Sequence, residues 1–207
     1  MKLRFLWILP VILMCWTLPS CASKQQYIEP VPQTLEQVAQ TYVSPLIPSG
    51  GLAWLEWNRG ADIPADKLIG FCAYNNLLNL PITPEGLTIA QGGEYVDHTG
   101  PAYQVEAAIK QYFDVPSKHL RTSSLYQFLD PHTMMQYKDA YMLPDGFGGG
   151  LTTRALDYRQ DGAVLTITVG LFGPEDSPDA PSQTSELTVK LDRKGFKYLS
   201  NRLTSDK

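Results

Sequence analysis

The sequence predicts an α+β fold in which N-terminal helices pack on a C-terminal antiparallel β-meander. Two observations lead to this prediction. Before about residue 120, apolar residues recur at helical spacing in three segments. From Thr152 onward they alternate with polar residues, as in half-buried strands. Because a helix and a sheet each bury one apolar face, helices that precede a meander are expected to pack on it as a layer.

The helical part begins at Thr34, which forms a capping-box pattern with Gln37. A short turn capped by Ser117 closes this part of the chain. Segment 52–57 fits either a short strand or an aromatic loop, and segment 125–137 fits either a helix or a strand. The three predicted helices run from Thr34 to before Pro45, from about Pro64 to Leu78, and from about Pro101 to Phe113.

The pattern of the C-terminal third predicts four strands, which two tight turns connect as two hairpins. Leu165, Ile167, Val169 and Leu171 share one face of a strand, and Asp161-Gly162 is a hairpin signal before it. The predicted strands are Thr152–Tyr158, Val164–Phe172, the alternating segment around Leu187–Leu191, and Phe196–Arg202. A sheet next to such helices resembles the cystatin-like and NTF2-like folds, in which a sheet wraps a helix.

The first residues indicate a secretion signal. Lys2 and Arg4 give a positive start, and Phe5–Trp16 is an almost wholly apolar run that is too short for a comfortable membrane span. We therefore expect residues 1–20 to be a signal peptide. A polar tether over residues 21–33 and one α+β domain over residues 34–207 follow, with a possible subdivision near residues 90–100.

The end of this run, Leu18-Pro19-Ser20-Cys21, resembles the lipobox of bacterial lipoproteins. The resemblance implies that Cys21 becomes the first mature residue and carries a diacylglyceryl group, and two acyl chains anchor a protein stably. The pattern from Val105 to Arg202 also resembles uncharacterised lipoproteins of Gram-positive bacteria. The expected location is extracytoplasmic, at the cell membrane. In a host with an outer membrane, the protein could also be located there. The Asp that commonly follows the lipidated cysteine of lipoproteins retained at the inner membrane is replaced here by Ala22.

Charge and motifs narrow the expected function. The net charge of −4 and the lack of a basic cluster argue against nucleic acid as a partner. The chain carries none of the common hydrolase or nucleotide-binding motifs. The spacing of the three histidines predicts no metal site, and we expect no cofactor. Cys72 lies in an apolar segment and is expected to be a buried, inert thiol.

Several residues remain candidates for a site. Asp97 could orient His98 as a general base, with His119 and His132 elsewhere in the chain, although adjacent side chains usually diverge. Trp54 and Trp57 could anchor a partner, although core packing is the commoner role of such rings. The glycine-rich segment 146–150 fits an anion-binding nest or, more simply, a turn. Glu175, Asp176 and Asp179 could hold Ca²⁺, but their spacing matches no Ca²⁺ loop.

These observations favour a non-enzymatic binding or interaction module on a membrane-anchored lipoprotein. Its partners would be the membrane, through the lipid on Cys21, and an envelope protein, a glycan or a small ligand. The alternative is an envelope-associated or extracellular hydrolase that uses His98 or acidic residues. A solute-capture component ranks third, because the chain of 207 residues is short for a two-lobed architecture.

Overall fold

Helices and strands both contribute to the computed structural model, which describes residues 33–48, 51–79, 88–89, 95–96, 98–129, 134–144, 152–177 and 180–204. The helices are α1 (Leu35–Val38), α2 (Ala65–Tyr74), α3 (Ala102–Tyr112) and α4 (Ser117–Leu120). The strands are β1 (Thr88–Ile89), β2 (Tyr95–Val96), β3 (His98–Pro101), β4 (Ala140–Leu143), β5 (Thr152–Asp161), β6 (Val164–Phe172), β7 (Gln183–Asp192) and β8 (Gly195–Thr204). The predicted α+β class is confirmed. The likeness to cystatin-like or NTF2-like folds stays a prediction.

The predicted meander is present as one antiparallel sheet with the order β5-β6-β7-β8. Gly162 takes a φ of +56° in the turn between β5 and β6, and Gly195 takes +154° after the turn between β7 and β8. Both values lie where residues with a Cβ are strained, which explains why a glycine stands at each position. The apolar face that the alternation predicts is buried and includes Leu165, Ile167, Val169, Leu171, Leu187 and Val189.

Two bulges modify this alternation in the outer strands. The pairing of β5 with β6 skips Leu156, and the pairing of β7 with β8 skips Leu199. One extra residue changes which side chains face the core. The inward positions of β8 therefore include Tyr198 before the bulge and Asn201 after it, and both side chains are buried. A strict two-residue period would have placed Asn201 on the outer face.

The N-terminal helix lies against the inner face of the sheet. Thr34 caps α1 with the predicted capping box, and the helix continues as a π-helical turn over Ala39–Val43. The hydroxyl of Tyr158 in β5 donates to the backbone carbonyl of Gln33 at 2.7 Å. At the other end, the hydroxyl of Tyr198 in β8 donates to the carbonyl of Tyr42 at 2.9 Å. Two tyrosines from opposite edges of the sheet thus hold this helix.

The outer edge of β8 is covered by residues from the helical part. Trp57 forms an antiparallel bridge with Asn201, and Phe113 forms a parallel bridge with Tyr198. Covering an edge strand removes the unpaired backbone groups that would otherwise recruit another chain. Phe71 of α2 packs edge-on against Phe113 and Tyr198, with ring centroids 5.1 and 6.1 Å apart. This aromatic cluster joins α2, the end of α3 and the sheet.

The second helix is shorter than predicted. It ends at Tyr74, and Asn76 and Asn79 then take φ values of +46° and +51°. Asparagine tolerates this left-handed conformation and stops the helix before the predicted end at Leu78. The described residues of the ambiguous segment 125–137, which are 125–129 and 134–137, form neither a helix nor a regular strand. Isolated bridges join Tyr126 to Tyr141 and Leu129 to Gln136.

Candidate functional site

The histidines do not form a site in the part of the chain that the structure describes. The ring Nε2 of His119 lies 2.7 Å from the carbonyl oxygen of Ile63, so this nitrogen carries the proton and donates it. His98 begins β3, but its side chain lies outside the described structure, as does all of His132. No group of three or more His, Cys, Asp or Glu residues that could hold a metal ion occurs among the described residues.

The two tryptophans lie in different environments. Trp57 is 1% exposed, and its indole nitrogen donates to the carbonyl of Leu52 at 3.3 Å. Its ring meets Phe113 edge-on, with centroids 6.0 Å apart. Trp57 is therefore a core residue, and its ring has no exposed surface that a partner could contact. Trp54 is half-buried, and its indole nitrogen finds no acceptor among the described residues.

The predicted burial of the Cys72 thiol is confirmed. Cys72 is buried in α2, 1% exposed, and is not in a disulfide. Burial raises the pKa of its thiol to about 12. Because the thiolate is the reactive form of cysteine, Cys72 is unsuited to nucleophilic chemistry at neutral pH.

A polar cluster around Glu106 was not predicted from the sequence. Glu106 lies on α3 and is 5% exposed, and its carboxylate accepts from Arg121 Nε at 2.7 Å and from the Tyr141 hydroxyl at 3.3 Å. It also hydrogen-bonds with Ser117, which in turn accepts from Lys110. The cluster therefore ties α3 to α4 and β4. The signal in the sequence was one acid inside an apolar stripe, four residues after Ala102.

Electrostatics keep this carboxylate ionised. Burial opposes its charge, but hydrogen bonds from Ser117 and Arg121, with the positive charges of Arg121 and Lys110, outweigh burial and lower the pKa of Glu106. Burial and the nearby Glu106 carboxylate raise the pKa of the Tyr141 phenol well above its usual range. A nucleophilic serine needs a base that takes its proton. Ser117 instead accepts from the Lys110 ammonium, and its carboxylate partner Glu106 has a lowered pKa, which makes that carboxylate a weak base for the serine proton.

A groove lies at the end of the sheet where β5 begins and β6 ends. Its volume is about 450 Å³, and it is lined by Thr152, Thr153, Arg154, Phe172, Gly173, Pro174 and Asp176. The guanidinium carbon of Arg154 lies 5.3 Å from the centre of the Phe172 ring, within cation–π range. The Oγ1 atom of Thr153 is buried and has no hydrogen-bond partner in the described part of the chain.

Asp176 forms the other side of this groove, on the turn after β6. Its carboxylate accepts from the backbone N–H of Gly173, and Ser182 also hydrogen-bonds with it. Together these bonds lower the pKa of Asp176, so the groove presents a fixed negative charge beside the positive charge of Arg154. Asp176 is one of the three acidic residues, with Glu175 and Asp179, whose spacing matches no Ca²⁺ loop. Asp179 lies outside the described residues, as does segment 146–150.

A second, smaller cavity lies between α2, α3 and β8. It measures about 210 Å³, and Phe71, Tyr112 and Phe196 form part of its wall. Ligand sites usually occupy roughly 300–1,000 Å³. The volume of the smaller cavity lies below this range, whereas the volume of the groove at Arg154 lies within it. The groove is the candidate functional site.

Within the described residues, no helix combines the length and apolarity needed to cross a membrane. Comparison of the chain with protein-family models, with curated proteins and with solved structures finds no match.

Proposed function

We propose that this chain is an extracytoplasmic lipoprotein, held at the cell membrane by a lipid on Cys21, whose folded part is a non-enzymatic binding module. The observation that carries the anchor is the order of residues at the N-terminus: a positive start, an apolar run and then Leu18-Pro19-Ser20-Cys21. One acyl chain gives marginal membrane binding and two give stable binding, so a diacylglyceryl group is sufficient for the role.

The folded part supports a binding role more than a catalytic one. Cys72 is buried, and the carboxylate of Glu106 is satisfied by its own neighbours. By contrast, the groove beside Arg154 combines an aromatic wall with charged and hydroxyl groups in a concave surface of about 450 Å³. Apolar walls with a few placed polar groups are typical of ligand sites. We therefore assign the binding surface to this groove, and its ligand to the cell envelope or its surroundings.

The anchor is tested by substituting Cys21→Ala in the full chain. We expect this variant to lose acyl labelling in cells fed a labelled fatty acid and to leave the membrane fraction, because the sulfur that carries the lipid is gone. Cys15→Ala is the matched control: it removes a cysteine from the same N-terminal segment, six residues earlier, and should keep both properties. A Cys21→Ala protein that still carries acyl label would contradict the proposal.

A further inference from the structure

The positive side of the groove is the guanidinium of Arg154, whose carbon lies 5.3 Å from the centre of the Phe172 ring. Arg154 lies over Phe172 and makes no ion pair with any described carboxylate. Arg159 of the same strand differs, because its Nη2 lies 3.5 Å from Glu186 Oε2. A guanidinium carries its N–H groups in a planar fork, which matches the two oxygens of a carboxylate.

The negative side of the groove is held separately. Asp176 bonds to Gly173 and Ser182, and it makes no ion pair with Arg154 although both residues line the same groove. A carboxylate has about four acceptor positions, and Gly173 together with the backbone and side chain of Ser182 fills three of them, which leaves Asp176 one position for a ligand group. Two opposite charges that share a groove but are each held by their own neighbour are complementary to a ligand that carries both charges.

The remaining lining groups fit the same kind of ligand. The hydroxyl of Thr152, which stands on the same face of β5 as Arg154, can bond to a ligand amide or carboxylate. Exposed Pro174 and the small accessible part of the Phe172 ring, which is 6% exposed, give an apolar wall for a small side chain. The negative charge of Asp176 disfavours a phosphate dianion in the same space, since like charges repel.

We propose that the groove binds an amino-acid or short-peptide zwitterion, with the ligand carboxylate on Arg154 and its ammonium group on Asp176. This inference rests on the proposed binding role and is independent of the lipid on Cys21.

The test measures binding of L-alanyl-L-alanine to the full-length protein in mild detergent by isothermal titration calorimetry at millimolar ligand. Two further probes are its N-acetyl form, which lacks the ammonium group, and its C-terminal amide, which lacks the carboxylate. We expect each blocked dipeptide to bind at least about tenfold more weakly than the free one, because each loses a charge-assisted hydrogen bond. Inorganic phosphate should bind more weakly still.

Variants locate the site. Arg154→Gln and Asp176→Asn should each weaken binding of the free dipeptide by about tenfold or more, and Asp176→Asn keeps an oxygen that can accept from Gly173. Arg159→Gln, in the same strand, should bind like the unmodified protein. Thermal melting of each variant checks that its fold is retained.

The inference is overturned if the free dipeptide does not bind, if either blocked form or phosphate binds as tightly, or if Arg154→Gln behaves like Arg159→Gln. The Cys21→Ala experiment reads membrane attachment rather than dipeptide binding. Failure of the anchor and failure of the ligand assignment are therefore distinguishable.

Discussion

Replacing Glu106 by glutamine should destabilise the protein by about 2 kcal/mol near neutral pH. Glutamine keeps the shape of the side chain but removes the charge that accepts from Arg121 at 2.7 Å. Breaking a fully buried ion pair costs about 3–5 kcal/mol, whereas exposed pairs contribute at most about 1 kcal/mol. The Glu106 side chain is 7% exposed and that of Arg121 is 44% exposed, so the released arginine regains water and the cost falls between these limits.

The size of this loss should depend on pH. The folded state holds the pKa of Glu106 below its unfolded value, which is about 4.3. A lowered pKa contributes stability above the unfolded value, and this contribution disappears as pH falls through the folded value. The difference in the free energy of unfolding between the original chain and Glu106→Gln should therefore be largest near neutral pH and decrease as the pH falls below about 4.

Urea unfolding at several pH values measures the gap directly, provided that the slope with urea is unchanged. Asp139→Asn is the matched control, because Asp139 lies 3.6 Å from the same arginine but its side chain is 64% exposed. It should change the free energy of unfolding by less than about 1 kcal/mol. The reasoning fails if Glu106→Gln costs no more than this control, or if its cost is the same in acid as at neutral pH.

Two further substitutions test contacts that join distant parts of the chain. Asn201→Leu should destabilise the protein by about 2–4 kcal/mol in urea unfolding. The Asn201 amide donates to the carbonyls of Ala53 and Leu55 at 2.9 and 2.8 Å, and both carbonyls would lose this donor. A loss below about 1 kcal/mol would contradict this expectation. Gly60→Ala should lower the free energy of unfolding by about 1–3 kcal/mol, because a Cβ there would lie 2.9 Å from the backbone oxygen of Asp114. Thermal or urea unfolding measures this loss, and an unchanged midpoint would show that the backbone at Asp114 moves at no cost.

Local interactions explain which parts of the fold could be predicted from the sequence. The capping box at Thr34 joins residues three apart, and the tight turn at Gly162 depends on one residue's own conformation. The alternation in β6 likewise needs only neighbouring residues to show which face is buried. Such patterns are visible in the sequence because the physical cause and its effect lie within a few residues.

The candidate site could not be predicted in the same way. In the sequence, Asp176 stood out only as one of three acidic residues whose spacing matches no Ca²⁺ loop, and Arg154 was not singled out at all. What makes Arg154 notable is its position over Phe172, which the pairing of β5 with β6 creates. The placement of Trp57 in the core likewise depends on its bridge to Asn201, far along the chain.

The sequence by itself determined the α+β class, the helix starts, the hairpin turns and the resemblance of the N-terminus to a lipobox, because each follows from short-range spacing and residue type. Only the tertiary structure decided that Glu106 is a buried, satisfied carboxylate, that bulges at Leu156 and Leu199 change the inward positions, and that Arg154 and Asp176 share a groove. These outcomes depend on contacts between segments distant in the chain, whose energies are set by burial and by the partners that folding brings together.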